Sequence, residues 1–274
     1  MPAGAALARV VLGRARVVRE VRAADPLAAA LGAPVTARAP WLTAVLNDDA
    51  AHRSFTRPAA VVIDGEPGGP PRAVAFLALR RRGPVVVSLL GQRSRPLPGG
   101  RPTARLLAQD DAAAGQLATG MLDLLNSLRG PRSLRLTGLP LGDPTARALA
   151  ARLPTAVVVN ARSTRLVDGL EEAGPVVRSA DPDHLERWLP DLLEGAPDRR
   201  ARGFLRSAAR LLAATGRLEL AVRTDGDRLR VGLLTLVDGA DRWPWWGTAA
   251  GGGLRTEMGA PVVALTAPAR GWPR

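Results

Sequence analysis

Two stretches of this chain carry the same order of apolar and polar positions. The first runs Val61-Val62-Ile63-Asp64-Gly65, a short loop, Val74-Ala75-Phe76-Leu77-Ala78-Leu79, an Arg-rich turn and an apolar run that reaches Gly91. The second runs Ala221-Val222-Arg223-Thr224-Asp225-Gly226, then Val231-Gly232-Leu233-Leu234-Thr235-Leu236, a break, and Trp243 on to Gly247. Short apolar runs rich in Val and Leu, bounded by Asp-Gly and Gly-Pro clusters, predict strands joined by turns. Each stretch is therefore a predicted three-stranded meander. The two lie about one domain length apart, as copies of one unit would.

Around the first meander, Arg14 to Val21 predicts a strand and Asp25 to Leu31 a short helix. Pro40-Trp41 opens a second helix with Trp41, Leu42, Val45 and Leu46 on one face. Beyond the meander, Ala112 to Leu128 is helical, with Leu117, Met121, Leu124 and Leu125 at helical spacing and Asp110 or Asp111 as cap. Ser133 to Leu139 is a strand, Asp143-Pro144 opens a helix through Ala151, and Thr155 to Val159 and Ser163 to Val167 are strands. This alternation predicts an α/β chain, an α+β mixed sheet with helices packed on it. Asp168 to Gly174 is the expected linker. Asp181-Pro182 then opens a helix through Leu193, and Asp198 to Ala213 is an amphipathic helix ahead of the second meander. After Gly247 the pattern fails, apart from one short strand at Pro261 to Leu265. The expected domains are 1–170, an incomplete second copy at 175–248, and a poorly patterned tail at 249–274.

Composition narrows the function classes. There is no Cys, and the two His lie far apart in sequence, so no disulfide framework, thiolate nucleophile or zinc centre is expected. No apolar run approaches the ~20 residues of a membrane helix. The expectation is a soluble, cytoplasmic protein without metal or membrane contact. The net charge is +13, carried by Arg in a chain without Lys. Only nine residues are aromatic (six Trp and three Phe), too few for a base-stacking groove. A generally basic surface is the favoured reading, and an anionic ligand needs few of these Arg.

Helices, an antiparallel meander with an Asp-Gly turn, and then alternating helices and strands resemble the GNAT acyltransferase fold. The tandem arrangement resembles its FemAB/CelD-like branch. Pro40-Trp41 before the first meander, Leu136-Thr137-Gly138-Leu139-Pro140, and the stretch from Arg199 to Gly247 carry the likeness. The resemblance implies two tandem GNAT-like domains, the second incomplete. It also implies transfer of an acyl group from acyl-CoA to an amine, on a small molecule or on a peptidoglycan-type or protein acceptor. In that family the sheet splays after its central strand, and backbone N–H groups at the following helix start hold the coenzyme pyrophosphate. Gly251, Gly252 and Gly253 with Arg255 are the candidate cofactor-binding residues, against the plainer reading of a glycine linker. Arg93, Arg95, Gly99, Gly100 and Arg101 hold the matching place in the first copy, as an anion loop or a solvated one.

Glu219 and Asp238 are the candidate catalytic carboxylates that remove the amine proton, against a solvated strand residue and a turn residue respectively. Trp243, Trp245 and Trp246 are candidate substrate-binding residues. Strand alternation sends Trp243 and Trp245 to one face and Trp246 to the other, and core filling is the alternative. Two other functions stay open: an aminoacyl-tRNA-dependent transferase using the Arg surplus on RNA phosphates, and a non-catalytic interaction module.

Overall fold

A computed structural model describes residues 8–52, 55–81, 83–94, 96–249 and 252–268. Their contacts divide the chain into two compact units. Unit 1 takes the described residues within Met1–Gln92, Ala104–Ala161 and Pro261–Arg274, and unit 2 those within Arg93–Thr103 and Arg162–Ala260.

Unit 1 opens with β1 (Arg9–Leu12), α1 (Arg14–Ala23), α2 (Asp25–Ala30) and α3 (Ala39–Ala51). The strand expected over Arg14 to Val21 is thus a helix. Val17 and Val21, four apart and both buried, point one way, and Arg16, Arg19 and Arg22 are exposed on the other faces. The meander follows as β2 (Thr56–Ile63), β3 (Ala73–Arg81) and β4 (Val85–Leu89), then β5 (Leu107–Ala108), α4 (Asp111–Ser127), β6 (Arg132–Pro140), α5 (Pro144–Arg152) and β7 (Val157–Asp168). Asp110 caps α4 by accepting the Ala113 N–H at 2.7 Å, and Asp143 caps α5 through Ala146 at 2.8 Å. Gly120 lets α4 lie close on the sheet, because a Cβ there would stand 2.8 Å from Cγ1 of Val61. The strands β2 and β3 are apolar almost without alternation, Ala59–Ile63 and Ala73–Leu79 being buried throughout, as expected of strands covered on both faces.

Unit 2 contains β8 (Val177–Ser179), α6 (Pro182–Glu194), α7 (Arg199–Ala214), β9 (Leu218–Asp225), β10 (Arg228–Asp238) and β11 (Asp241–Ala249). These strands form an antiparallel sheet in the order β11-β10-β9-β8. On α7 the stripe Ala201, Phe204, Leu205, Ala208 and Leu212 is buried, at the spacing the sequence predicts. Gly232 leaves room for Leu192 of α6, whose Cδ2 would lie 2.5 Å from an added Cβ.

The last strand, β12 (Leu254–Ala267), corrects the expected tail. From Pro261 on it belongs to unit 1, where it pairs antiparallel with β6, Val262 opposite Pro140 and Ala267 opposite Leu134. The larger sheet has the order β1-β2-β3-β4-β6-β12-β7, with β5 added on β3. Val263, Leu265 and Ala267 alternate into the core of unit 1. Small residues and Pro261 weaken the sequence signal of an interior strand here. The linker expected at 168–174 is a short 3-10 turn of unit 2, with Leu170 in its core. The units divide instead between Ala161 and Arg162, inside β7.

Candidate functional site

In unit 1 the strands β4 and β6 are parallel neighbours, but only over four residue pairs, from Val85 opposite Arg132 to Ser88 opposite Arg135. Beyond them β6 runs on to Pro140 while β4 ends, so the carboxyl ends of two parallel strands open. That is where ligands of open mixed sheets bind. Backbone groups on the two sides of such an opening need partners.

The chain supplies those partners itself. Ala104 donates its N–H to Gly138 O on β6 at 3.1 Å, and β5 lies against β3 with Leu107 opposite Val74 and Ala108 opposite Ala73. These positions continue on β3 the row that β4 vacates after Leu89. Leu106 and Leu107 are 2% and 1% exposed. The Arg105 guanidinium donates to Leu31 O, and Gln109 N–H bonds to Arg72 O. Residues 104–109 therefore bridge the opening from β6 to β3.

The helix start reached next is also taken. Asp110 places its own carboxylate on the α4 amides and pairs with Arg72 at 2.9 Å. The Ala113 N–H first, and Arg72 second, hold Asp110 below the usual carboxylate range. A phosphate at this end would meet Asp110 and Asp111 as like charges. At the start of α5, Asp143 is 5% exposed and accepts from Ala146, Leu106 and Thr145. Burial outweighs these bonds and raises its pKa. Beside it Thr145 Oγ1 is buried without a partner.

Of the candidate cofactor residues, Gly252, Gly253 and Arg255 are at the entry to and within a strand. Gly251 lies outside the described residues. Gly252 and Gly253, at φ 96° and 94°, turn the chain into β12, and Gly253 O accepts from Gly169 N–H. Arg255 is on that strand with Glu257 at 3.0 Å and Glu172 at 3.6 Å, so no helix dipole stands behind it. Arg95 also lies outside the described residues. Gly99 and Gly100 are close-packed: Gly100 N–H donates to Thr164 O, Gly100 O accepts from Ala260 N–H, and a Cβ on Gly99 would strike Thr164 O at 1.7 Å. Among the described residues, Gly99, Gly100, Gly252, Gly253 and Arg255 have no helix start directly behind them.

The candidate catalytic carboxylates sit in ion pairs of unit 2. Glu219 bonds Arg178 at 3.2 Å and also Arg242, while Arg178 bonds Asp168 at 2.9 Å and Glu171. These residues, with the buried, unpartnered hydroxyl of Thr235 opposite Glu219, make a polar strip on the face away from α7. Both guanidinium groups approach the same oxygen of Glu219, Oε1. Asp238 pairs with Arg217 at 2.8 Å. The strip links four strands of one sheet; its Arg members, Arg178 and Arg242, were not singled out from sequence because a chain full of Arg marks none of them.

The three Trp residues fill unit 2. A bulge between Leu234 and Thr235 leaves Trp245 without a register partner and sets Trp246 opposite Leu234, Trp243 opposite Leu236. Trp243 and Trp246 thereby share a face, which corrects the expected alternation. Trp243 and Trp245 are 5% and 3% exposed. Trp245 packs edge-on against Phe204, with centroids 6.3 Å apart, and donates to Pro96 O; Trp246 donates to Leu192 O. Arg101 stacks over Trp243 at 5.2 Å and pairs with Asp241, so the loop 93–103 is strapped to β11.

Among the described residues no group of three or more His, Asp or Glu could hold a metal, and no helix is long and apolar enough to cross a membrane. No protein-family model matches the chain, and no curated protein matches its sequence. Among solved structures it is similar to a tandem GNAT protein from the clavulanic acid biosynthesis pathway, at 13% identity and TM-score 0.40, over 97% of this chain and 100% of that one. It is similar also to an N-acetyltransferase from Sphaerobacter thermophilus, at 14% identity and TM-score 0.35, over 97% and 98%. A third is a probable N-acyltransferase from Enterococcus faecalis, at 11% identity and TM-score 0.31, over 94% and 72%.

Proposed function

We propose that this chain is a tandem GNAT-like protein that acts as a non-catalytic binding module, its first groove closed by its own backbone. The observation that carries this reading is the bridge of residues 104–109 across the β4–β6 opening, ending in the Asp110 carboxylate on α4. The bridge takes Gly138 O on β6 and the β3 edge beyond the end of β4, and Asp110 stands where an anion would dock. The ion-paired state of Glu219 and Asp238 supports the same reading, because neither carboxylate is without a cation to satisfy it.

A second reading is an acyl-CoA-dependent N-acyltransferase with an amine acceptor. The element order favours it: each unit runs strand, helices, antiparallel meander, and unit 1 continues with a parallel strand beside β4. One titration separates the two. Acetyl-CoA and longer acyl-CoAs are added to the full chain while Tm and Trp fluorescence are followed. The binding-module reading expects no shift at millimolar coenzyme; at 100 times Kd a true ligand would stabilise by about 2.7 kcal/mol. Saturable stabilisation would overturn the proposal in favour of the transferase. An aminoacyl-tRNA-dependent transferase predicts tRNA binding that collapses steeply with added salt, which the same protein tests by gel shift.

A further inference from the structure

The outer strand of a sheet presents unpaired N–H and C=O groups, a template for a further strand unless charge or Pro guards it. The two sheets end in β1 and β7, and in β11 and β8. Three of these strands carry charge. β1 holds Arg9 in ion pairs with Glu20 and Asp64, β8 holds Arg178 with Asp168 and Glu171, and β11 holds Asp241 and Arg242. The part of β7 in unit 1 carries none. Residues 153–161 read Leu-Pro-Thr-Ala-Val-Val-Val-Asn-Ala, without a charge between Arg152 and Arg162. Val157, Val158 and Val159 are 57%, 49% and 52% exposed, and Asn160 and Ala161 are exposed after them. Among the described residues no strand lies beyond β7 in the sheet order.

We propose that the β7 edge at residues 157–161 pairs antiparallel with the same edge of a second copy, joining the larger sheets of two chains. Strand alternation puts Val157 and Val159 on one face and Val158 on the other. A membrane or a flat protein surface would cover one of these faces. A strand added alongside meets both, and it also takes the outward backbone groups. An acidic partner or a nucleic acid finds no cation within this run. A second copy fits because a two-fold axis sets the run against itself: with the axis at Val158, Val157 faces Val159, and with the axis at Val159 it faces Ala161. Neither register sets charge against charge within the run, and a neutral stretch is where two chains of net charge +13 approach at least electrostatic cost. A pairing this short makes a small interface, so the association expected is weak and concentration-dependent. It is independent of whether the β4–β6 opening takes a coenzyme.

The test is sedimentation equilibrium of the full chain over a series reaching about 200 μM. A monomer–dimer equilibrium is expected, tightening with added salt as the like net charges are screened. Val158→Lys puts a charge from each copy into the run and should weaken association about tenfold or more. The parent has no Cys, so a single Cys cross-links only between copies. Under mild oxidation the best of Val157→Cys, Val158→Cys and Val159→Cys, the one at the axis, should form dimer about tenfold faster than Leu141→Cys, a control that is 58% exposed outside the run. Melting curves establish that the variants fold; should Val158→Lys be unfolded, the Cys series decides. A parent that stays monomeric throughout, an association that weakens with salt, a dimer untouched in folded Val158→Lys, or equal cross-linking at Leu141 would overturn the proposal.

Discussion

The two meanders share their topology and differ in what covers them. β2 and β3 of unit 1 are buried on both faces, with α1 and α4 packed against β2 and α4 also against β3. β9 and β10 of unit 2 turn one face to the α6 and α7 side and carry the Arg178–Glu219–Arg242 strip on the opposite one. The sequel differs as well. β4 is followed by a parallel neighbour, β6, whereas β11 ends its own sheet at four strands among the described residues. What is repeated is thus a backbone order, while the chemistry of each copy is set by the faces left for side chains to fill.

The largest expected effect breaks the aromatic filling of unit 2. Trp245→Ala removes a ring packed on Phe204 and the bond to Pro96 that holds the loop 93–103, and should cost ~3–5 kcal/mol. Leu107→Ala makes the matching hole in the bridge of unit 1 and should cost ~2–5 kcal/mol. Urea unfolding reports both. A loss below ~1 kcal/mol for Leu107→Ala would mean that the bridge is a loose cover and not part of the core.

Most of this architecture was legible in the pattern of residues. Both meanders, the α4 and α7 stripes and the Asp caps follow from local periodicity, because one buried face leaves its period in the sequence. Three features were not. The α1 helix carries only two buried positions, too few to distinguish from a strand. The β12 strand alternates correctly, but Pro261 and the glycines before it hide the period. The bridge 104–109 has no period, since its burial comes from partners on β3 and β6 that are distant in sequence. The same holds for the site. Glu219 was visible as a carboxylate on a strand, but its Arg partners on β8 and β11 are set by sheet pairing. The bulge at Trp245 is likewise a tertiary feature.

The next effect probes close packing in each unit. Gly232→Ala places a methyl against Leu192, and Gly120→Ala places one against Val61 and Ala8. Each should cost ~1–3 kcal/mol, and the helical Gly120 recovers up to ~1 kcal/mol through propensity. Stability equal to the parent in both would show that α4 and α6 can lift from their sheets at no cost.

Smaller again is the ionic strip. Glu219→Gln leaves Arg242 without this carboxylate while Arg178 keeps Asp168 and Glu171. All these groups are partly exposed, so solvent screening reduces the expected loss to ~1 kcal/mol. A double-mutant cycle with Arg242→Gln measures it, and a coupling near zero would remove the strip from the structural account.

The smallest effect contrasts two helix caps of unit 1 through pH. Asp110 is held below the ordinary range by the Ala113 N–H and Arg72, so its ionised form favours the fold. Its contribution is present above the unfolded carboxyl value and is lost as pH falls through the folded one. Asp143 has the opposite sign. Burial raises its pKa, so its contribution is complete below the unfolded value and is lost as pH rises through the folded one. Asn caps a helix about as well as Asp, which isolates the charge from the cap. Asp143→Asn should therefore gain stability relative to the parent as pH rises from about 4 towards neutrality, and Asp110→Asn should lose it over the corresponding acid range. Urea midpoints at stepped pH read both. Parallel pH dependences would mean that Asp143 reaches water as freely as Asp110, and that the bridge above it does not seal the start of α5.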